Sequence, residues 1–238
     1  MKILKKSFAG NEVLQVTPIN PSSGIDFLNW RVSIRKGCDR ANLKGPGLYG
    51  VFYRGKLIYI GKFLGTRTNP FSGNIVVKRW WTHFASLTMR GHRLSFPKTT
   101  LTNLLEGTLT ALDPGIRDAL TKAAQTLSKD RGCVTSMNRA LFSNQNWTTF
   151  NCAEPQALLR SFSFIYVRIA PSALADTVDA LRERISYAEK IVIARLQPIA
   201  NKEIRWNGMP RNVSDEAAAT FMVRTLRNAT PNSPSIPT

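Results

Sequence analysis

Histidine and cysteine are scarce in this chain of 238 residues, which contains two histidines and three cysteines. Cys38, Cys133 and Cys152 are odd in number and widely spaced, and no two of them form a C-x-x-C pattern. Their arrangement supports neither a disulfide framework nor a zinc site. His83 and His92 are too few for a histidine-rich metal cage or for paired-histidine nuclease machinery.

Acidic residues are also few, and long hydrophobic runs are missing. The chain carries 33 lysines and arginines against 15 aspartates and glutamates, a formal charge of +18, and residues 1–100 hold 17 basic and 3 acidic side chains. Such an excess predicts salt-dependent binding to a polyanion such as nucleic acid. No apolar stretch approaches the roughly 20 residues of a membrane span, and the N-terminus lacks the apolar run of a signal peptide. We therefore expect a cytoplasmic protein that binds nucleic acid and no membrane.

Hydrophobic residues make up 43% of the chain, which is enough for a globular core. Their spacing predicts both strands and amphipathic helices. The predicted elements are a β-hairpin over 48–61, a helix over 75–90 stopped by Gly91, helical structure over 116–127, a strand over 161–169, a long helix from a Ser172 cap to Leu196 with an apolar stripe from Leu174 onwards, and a helix over 214–227. The tail over 229–238 is rich in Pro, Ser and Asn, and we expect it to be disordered.

The turn of the predicted hairpin determines which side chains share a face of the sheet. A two-residue Arg54-Gly55 loop in unbroken register would place Tyr49 and Tyr59 on opposite faces. A three-residue loop, Tyr53-Arg54-Gly55, with a left-handed Gly55 in a bulge, would pair Tyr49 directly with Tyr59. We predict the three-residue loop, because chemistry shared by the two hydroxyls requires a common face.

Several chemistry-bearing features follow one another in a specific order. They are Gly47-Leu48-Tyr49, then after nine residues Tyr59-Ile60-Gly61, Arg79 with His83 four residues later, Glu189 on the long helix, and Pro198 with Asn201. This order resembles the GIY-YIG nuclease family over about 47–83 and 161–201, roughly a third of the chain. Either triplet alone would be a weak signal, whereas the whole set, each member on its expected element, is specific.

The resemblance implies an α/β (α+β) fold, in which a small antiparallel sheet is flanked by helices. Because the family core is much shorter than this chain, we expect a largely helical insertion and terminal extensions. The predicted division is a basic N-terminal extension (1–46), the first part of the catalytic core (47–91), an insertion that recognises DNA (92–160), the second part of the core (161–205) and a C-terminal extension with a disordered tail (206–238). The insertion carries side chains of the types that reach base edges, namely Arg117, Lys122, Lys129, Arg131, Arg139, Asn144, Gln145 and Asn146.

The resemblance also implies hydrolysis of phosphodiester bonds with one divalent metal ion in each active site. Glu189 would bind Mg²⁺, for which Mn²⁺ would substitute, and the ion would keep several waters and take phosphate oxygens as ligands. Arg79 would hold the same phosphate with its planar, always charged fork. Lys62 and Lys78 would make further contacts with phosphate or DNA.

The remaining roles concern the attacking water. By resemblance Tyr49 is the general base, and its ordinary pKa of about 10 would need to be lowered by Lys62 and Arg79. Tyr59 and His83 would orient the water or relay protons. Asn201 would position the phosphate or support the Glu189 region.

These residues also have plain structural interpretations. Tyr49 and Tyr59 alternatively serve as ordinary strand aromatics, Arg79 as a solvated basic residue, and Glu189 as a surface helix residue paired with a cation. His83 alternatively serves as a hydrogen-bonded histidine of the core, and Asn201 as the cap of the turn after Pro198. Lys62 alternatively contacts phosphate without an effect on catalysis. The sequence leaves these alternatives open.

The combined features favour a site-specific, type II restriction-like endonuclease, encoded by a prokaryote or phage, that cuts double-stranded DNA as a homodimer or higher oligomer. No aspartate or glutamate is followed two residues later by lysine, so the chain lacks the acidic-x-Lys motif that is typical of another large nuclease class. One alternative is a structure-specific or weakly specific nuclease of repair, mobile elements or defence. Another is a binding module that keeps the fold without catalysis.

Overall fold

A four-stranded antiparallel sheet forms the centre of the structure, a computed structural model that describes residues 2–21, 24–107, 110–128, 133–171 and 177–229. The described strands are β1 (Ile3–Ala9), β2 (Leu14–Pro18), β3 (Trp30–Ile34), β4 (Gly47–Tyr53), β5 (Lys56–Phe63), β6 (Leu94–Ser95), β7 (Cys133–Val134) and β8 (Phe162–Ile169). The central sheet has the order β1-β8-β4-β5, while β2 pairs with β3 and β6 with β7. Strand β8 therefore joins the two halves of the predicted core, because it lies beside β4.

Helices cover both faces of this sheet. They are α1 (Gly10–Val13), α2 (Trp81–Thr88), α3 (Lys98–Glu106), α4 (Pro114–Lys122), α5 (Ala124–Leu127), α6 (Met137–Gln145), α7 (Trp147–Cys152), α8 (Pro155–Arg160), α9 (Val178–Leu196) and α10 (Asp215–Asn228), with a π-helical segment over Val76–Trp80 and a 3₁₀ turn over Ala41–Leu43. Along β4, Leu48 and Phe52 join the core cluster that includes α9 and α10, whereas Tyr49 and Val51 join the cluster that includes α2. The architecture is thus mixed α/β, with a small antiparallel sheet between helices. None of the helices in the described part of the chain is both long and apolar enough to cross a bilayer.

The segment predicted as an N-terminal extension contributes an edge strand to the central sheet. Strand β1 pairs with β8 in a continuous register from Ile3 opposite Ile169 to Ala9 opposite Ser163. Only Phe8 of this strand is buried, so the alternation that reveals a strand is weak. The exposed Lys5 and Lys6 pair with Glu216 and Asp39, respectively. Sequence pattern alone did not indicate this strand, because its stability comes from the pairing with β8.

The hairpin of β4 and β5 forms as predicted, but the prediction of a three-residue loop is wrong. Tyr53 pairs with Lys56, so the loop is Arg54-Gly55, and both residues have positive φ, 49° and 72°. This is the two-residue turn whose twist matches that of antiparallel strands. The register then shifts between Val51 and Phe52, which leaves Ile58 as the extra residue of a β-bulge.

The bulge, rather than the loop, places the two tyrosines on one face. Tyr49 lies opposite Gly61, and Tyr59 lies opposite Val51, so the predicted direct Tyr49–Tyr59 pairing is also wrong. Because one residue is inserted between the turn and Tyr59, the side chain of Tyr59 changes face and joins that of Tyr49. The ring centroids of the two tyrosines are 6.2 Å apart.

The helix predicted over 75–90 is present, and its predicted apolar face is fully buried. Ile75, Trp80, Phe84 and Leu87 each expose 0% of their surface. The helical segment ends differently from the prediction, because Met89 rather than Gly91 adopts the left-handed conformation after α2. Gly91 instead allows close packing, since a Cβ there would lie 2.5 Å from that of Ala85.

The last helix matches its prediction, whereas the long helix ends at Leu196 as predicted but begins at Val178 and not directly after Ser172. Helix α9 begins after Thr177, whose hydroxyl accepts a hydrogen bond from the amide of Ala180. It ends at Leu196 before a left-handed Gln197, and Ser214 caps α10. Several predicted features lie outside the described residues: Ser172, Leu174, Lys129, Arg131 and the tail over 230–238.

Candidate active site

A cleft of about 470 Å³ lies beside the α2-covered face of the hairpin. Seven of the eight site residues predicted from the sequence line it. The lining residues are Tyr49, Tyr59, Lys62, Lys78, Arg79, Thr82, His83, Val134, Arg139 and Glu189. Side chains from the hairpin, the π-helical segment, α2, α9 and the predicted insertion thus meet in one place, and Asn201 is the predicted residue that does not line the cleft.

The glycines of the two triplets are required by the geometry of this hairpin. A Cβ on Gly61 would lie 2.5 Å from the hydroxyl of Tyr49 and 2.9 Å from a ring carbon of Tyr59. A Cβ on Gly47 would lie 2.1 Å from the carbonyl oxygen of Val167 on β8. Glycine is needed at Gly61 because the Tyr49 ring lies across β5, and at Gly47 because β8 approaches closely. The glycines of the triplets therefore have a physical cause in this chain.

Tyr49 and His83 form a buried hydrogen-bonded pair. Tyr49 Oη lies 2.5 Å from His83 Nε2, and the two residues are 1% and 4% exposed. Burial raises the pKa of Tyr49 well above its usual 10, and Tyr59 adds to the rise while Arg79 and Arg139 oppose it. Burial, together with the charges of Arg139 and Arg79, lowers the pKa of His83 well below 6.5. A protonated phenol and a neutral imidazole are therefore in contact, and the phenol donates to Nε2 when His83 carries its own proton on Nδ1.

This pair differs in one respect from what the sequence predicted. We expected Lys62 and Arg79 to lower the pKa of Tyr49, but burial outweighs the cations and the pKa rises. Arg79 acts in the expected direction, and the second cation is Arg139 rather than Lys62. Lys62 instead pairs with a carboxylate.

The ring of Tyr59 contacts both the imidazole of His83 and the guanidinium of Arg139. Its ring centroid lies 4.4 Å from that of His83, and the guanidinium carbon of Arg139 lies 4.7 Å from the Tyr59 centroid. Burial raises the pKa of Tyr59, and the charge of Arg139 is the main influence that opposes the rise. Tyr59 is therefore a protonated phenol at neutral pH, with its hydroxyl available as a donor beside Tyr49.

Lys62 and Glu189 form an ion pair that links β5 to α9. Lys62 Nζ lies 2.7 Å from Glu189 Oε2, and the two side chains are 32% and 16% exposed. The carboxylate therefore reaches the cleft and has little contact with bulk water. Within the described ranges there is no group of three or more histidine, cysteine, aspartate or glutamate side chains arranged to hold a metal ion. Any metal ion at this site would consequently depend on Glu189 as its protein ligand.

Asn201 supports the site from behind. Its Oδ1 accepts a hydrogen bond from the amide of Ile60, and its Nδ2 donates to the carbonyl of the same residue, both at 2.8 Å. The amide of Ala200 donates to the carbonyl of Ile58, the bulged residue, at 2.9 Å. The segment after Pro198 thus holds the bulge that turns Tyr59 into the cleft. The backbone of Asn201 also bonds to Pro198, as the turn-capping interpretation anticipated.

Replacing Asn201 with alanine is expected to lower the free energy of unfolding by about 2–4 kcal/mol, because the amide and carbonyl of Ile60 would remain buried without partners. Urea unfolding measures this change. Asn144→Ala is the matched control, since Asn144 likewise bonds two backbone groups, those of Asp113 and Ala111, in a partly exposed position. Water can replace its bonds, so we expect a loss of about 1 kcal/mol or less. Equal losses in the two variants would contradict the role assigned to Asn201.

Most insertion residues predicted to read bases have partners within the protein. Arg117 donates to the carbonyl of Leu105, Lys122 pairs with Asp118, and Gln145 donates to the carbonyl of Gly208. Arg139 also bonds within the protein, to the carbonyl of Val134 at 3.4 Å, but unlike these residues it lines the cleft. The sequence analysis did not predict that Arg139, Thr82 and Val134 line the cleft. No spacing pattern connects these three residues to the triplets.

Comparisons with protein families, with curated proteins and with solved structures each return no match for this chain. What the cleft can do chemically therefore follows from its own side chains.

Proposed function

We propose that this protein is a Mg²⁺-dependent endonuclease of the GIY-YIG type that hydrolyses phosphodiester bonds in double-stranded DNA. The observation that carries the proposal is the meeting, in one cleft, of the buried Tyr49–His83 pair, the cation Arg79 and the carboxylate of Glu189. Hydrolysis of a phosphodiester needs a path for a proton from water, positive charge at the phosphate and stabilisation of the leaving oxygen. The cleft contains a group for each of these tasks.

Tyr49 and His83 provide the path for the proton. As water attacks phosphorus, one of its protons passes to the oxygen of Tyr49, while the phenolic proton moves along the existing 2.5 Å hydrogen bond to His83 Nε2. The low pKa of His83 keeps its imidazole free to accept in the substrate-free state. The negative charge of the bound phosphate would stabilise the imidazolium that results, because opposite charges attract strongly in a poorly hydrated site. Tyr59 would orient the water from beside the imidazole.

Exposed cations provide the positive charge for the phosphate. Lys78 and Arg79 are exposed on the π-helical segment at the cleft, so both are free to contact DNA. The sequence from Arg40 to Leu105 contains no aspartate or glutamate, which leaves the charge of this wall of the cleft uncompensated locally. A concentration of cations at a cleft attracts a polyanion and orients its backbone. Arg79 would bind the scissile phosphate through two parallel hydrogen bonds.

Glu189 fits a site for one Mg²⁺ ion. Its side chain reaches the cleft with low exposure, and its Oε2 already has a cationic partner in Lys62 Nζ. A single carboxylate suffices for Mg²⁺, which keeps several waters and accepts phosphate oxygens as ligands. When bound, Mg²⁺ would polarise the phosphate and stabilise charge on the leaving oxygen. Lys62 would then be free to contact DNA, and Mn²⁺ would substitute for Mg²⁺.

The type of nuclease that we favour is a site-specific, restriction-like enzyme acting as a homodimer or higher oligomer. One active centre cuts one strand, and a two-fold oligomer matches a palindromic site on two strands. The predicted insertion and extensions supply surface beyond the cleft on which side chains can reach base edges.

Digestion of long double-stranded DNA by the purified protein tests the proposal. With Mg²⁺ we expect discrete fragments, and with EDTA we expect none. A smear in place of fragments would favour the weakly specific or structure-specific nuclease. If the protein retards DNA without cutting it, in Mg²⁺ and in Mn²⁺, the proposed nuclease activity is wrong and a binding module is favoured.

A further inference from the structure

The predicted insertion forms part of the wall of the cleft. Cys133, at the end of the gap in the described chain, donates from its thiol to the carbonyl of Thr82, the residue before His83. Two residues later, the amide of Thr135 donates to the carbonyl of Ser95 at 2.9 Å. Helix α6 then begins at Met137 and packs against α2. The insertion is therefore attached to the helix that carries His83, not separate from it.

A second attachment fixes the start of α6 to the segment behind β5. Asn138, which is 6% exposed, donates to the carbonyls of Asn201 and Ile204 at 2.6 and 2.7 Å. Asn201 in turn holds Ile60 next to Tyr59. Residue 139 is consequently held from two sides, by α2 and by the Asn201 segment, and its backbone position relative to the two tyrosines is well defined.

From this position the guanidinium of Arg139 lies at the cleft. Its guanidinium carbon lies 4.7 Å from the centre of the Tyr59 ring. Across the part of the chain that the structure describes, no carboxylate lies within ion-pair distance of Arg139. Its guanidinium bonds to the side chain of Tyr59 and, at a long 3.4 Å, from Nη1 to the carbonyl of Val134, while its buried Nε has no partner among the same residues. An arginine has five donors, so most of them remain available to an anion.

We propose that Arg139 is a catalytic residue that binds the scissile phosphate together with Arg79, and that the insertion thereby completes the active site. This role rests on the nuclease function proposed above. Two guanidinium groups on separate elements can hold two different non-bridging or leaving oxygens, whereas one fork holds a single edge of the phosphate. Their combined charge would stabilise the extra negative charge of the phosphorane.

The electrostatics of the cleft agree with this position. The charge of Arg139 opposes the rise in the pKa of both Tyr49 and Tyr59, and it contributes to the low pKa of His83. An anionic phosphate placed against Arg139 would therefore also lie near the proton path, which is where the reaction requires it.

Single-turnover cleavage at saturating DNA, measured over a range of pH, tests this role. We expect Arg139→Ala to slow cleavage about 10- to 100-fold, the effect of one charge-assisted hydrogen bond made in the transition state, while Arg79 remains. The cleavage rate of Arg139→Lys should lie between those of the wild type and Arg139→Ala, because lysine keeps the charge but lacks the planar guanidinium fork. Arg160→Ala is the matched control, since Arg160 is an exposed arginine at the end of α8 that does not line the cleft. It should cleave at the wild-type rate.

The outcomes separate the two proposals. If the wild type cuts DNA and Arg139→Ala cuts equally fast, the role of Arg139 is overturned and the nuclease function stands. A slower rate accompanied by an equal loss of folded protein in thermal unfolding would make Arg139 a structural residue. A pH profile displaced along the pH axis, with an unchanged maximal rate, would make it a modulator of the tyrosines rather than a phosphate ligand. If the wild type cuts no DNA, the nuclease function fails and the role of Arg139 fails with it.

Discussion

Tyr49→Phe is expected to slow single-turnover cleavage of DNA about 100- to 10,000-fold, the usual range for losing a group that transfers a proton in the transition state. The substitution removes one oxygen atom, which in the proposed proton path both accepts the proton of water and passes the phenolic proton to His83 Nε2, 2.5 Å away. The ring of Phe would keep the packing of Tyr49 against Trp80 and Tyr59. Affinity for DNA should therefore change little, and rapid-quench cleavage with excess enzyme measures the effect.

Tyr166→Phe is the matched control for this variant. Tyr166 is equally buried and lies directly opposite Tyr49 on β8, but its hydroxyl donates to the carbonyl of Gly45, away from the proton path. Removing that hydroxyl should lower the free energy of unfolding by about 1–3 kcal/mol and leave the cleavage rate unchanged. A loss of rate as large as that of Tyr49→Phe would show that the chemistry does not depend on the Tyr49 oxygen in particular.

The pH dependence of the wild type tests the proton path itself. Burial raises the pKa of Tyr49 well above 10 and lowers that of His83 well below 6.5. The active form is then the neutral pair, which is lost on the acid side only when His83 becomes protonated, far below pH 6.5. We expect a plateau across the neutral range. A rise of about tenfold per pH unit there would instead identify the phenolate of Tyr49 as the base.

Glu189→Gln is expected to slow cleavage by about a thousandfold or more, because the charge that a metal ion contributes to the transition state amounts to several kcal/mol. Glutamine keeps the size of the side chain and removes the charge that would hold Mg²⁺. The ion pair with Lys62 is also lost, but it is partly exposed, so the protein should lose at most about 1 kcal/mol of stability. Cleavage as a function of Mg²⁺ concentration distinguishes a weakened metal site from a damaged fold.

Glu183→Gln provides the comparison on the same helix. Glu183 is exposed on α9 and does not line the cleft, so its substitution makes the same change in net charge without touching the site. We expect normal cleavage and a normal dependence on Mg²⁺. If Glu189→Gln also cleaved at the wild-type rate, the metal site proposed here would be wrong.

Local patterns account for the elements that the sequence predicted well. The hairpin follows from a β-rich stretch interrupted by Arg54-Gly55, and α9 follows from apolar residues at helical spacing such as Leu181 and Ile185. These predictions succeeded because strand alternation and helix periodicity depend on residues a few positions apart. The predicted cap of the long helix, Ser172, was wrong, since Thr177 caps α9.

Other features of the site depend on contacts that no local pattern encodes. Asn201 bonds to Ile60 from 141 positions away, and the bulge it supports overrides the loop expected from the turn residues. Arg139 comes from a part of the chain with little periodicity, and α6 reaches the cleft through bonds made by Asn138. Strand β1 escaped prediction because a mostly exposed edge strand has no alternation.

The sequence by itself therefore determined the order of the elements and most members of the candidate site, since the tyrosines of the triplets, Arg79, His83 and Glu189 all meet at one cleft. The tertiary structure alone decided the surroundings of these side chains. Burial made the Tyr49–His83 pair neutral, the bulge turned Tyr59 towards it, and packing of the insertion added Arg139. Burial and long-range hydrogen bonds form only when distant segments pack together, so their effects on pKa and strand register are not contained in any short stretch of sequence.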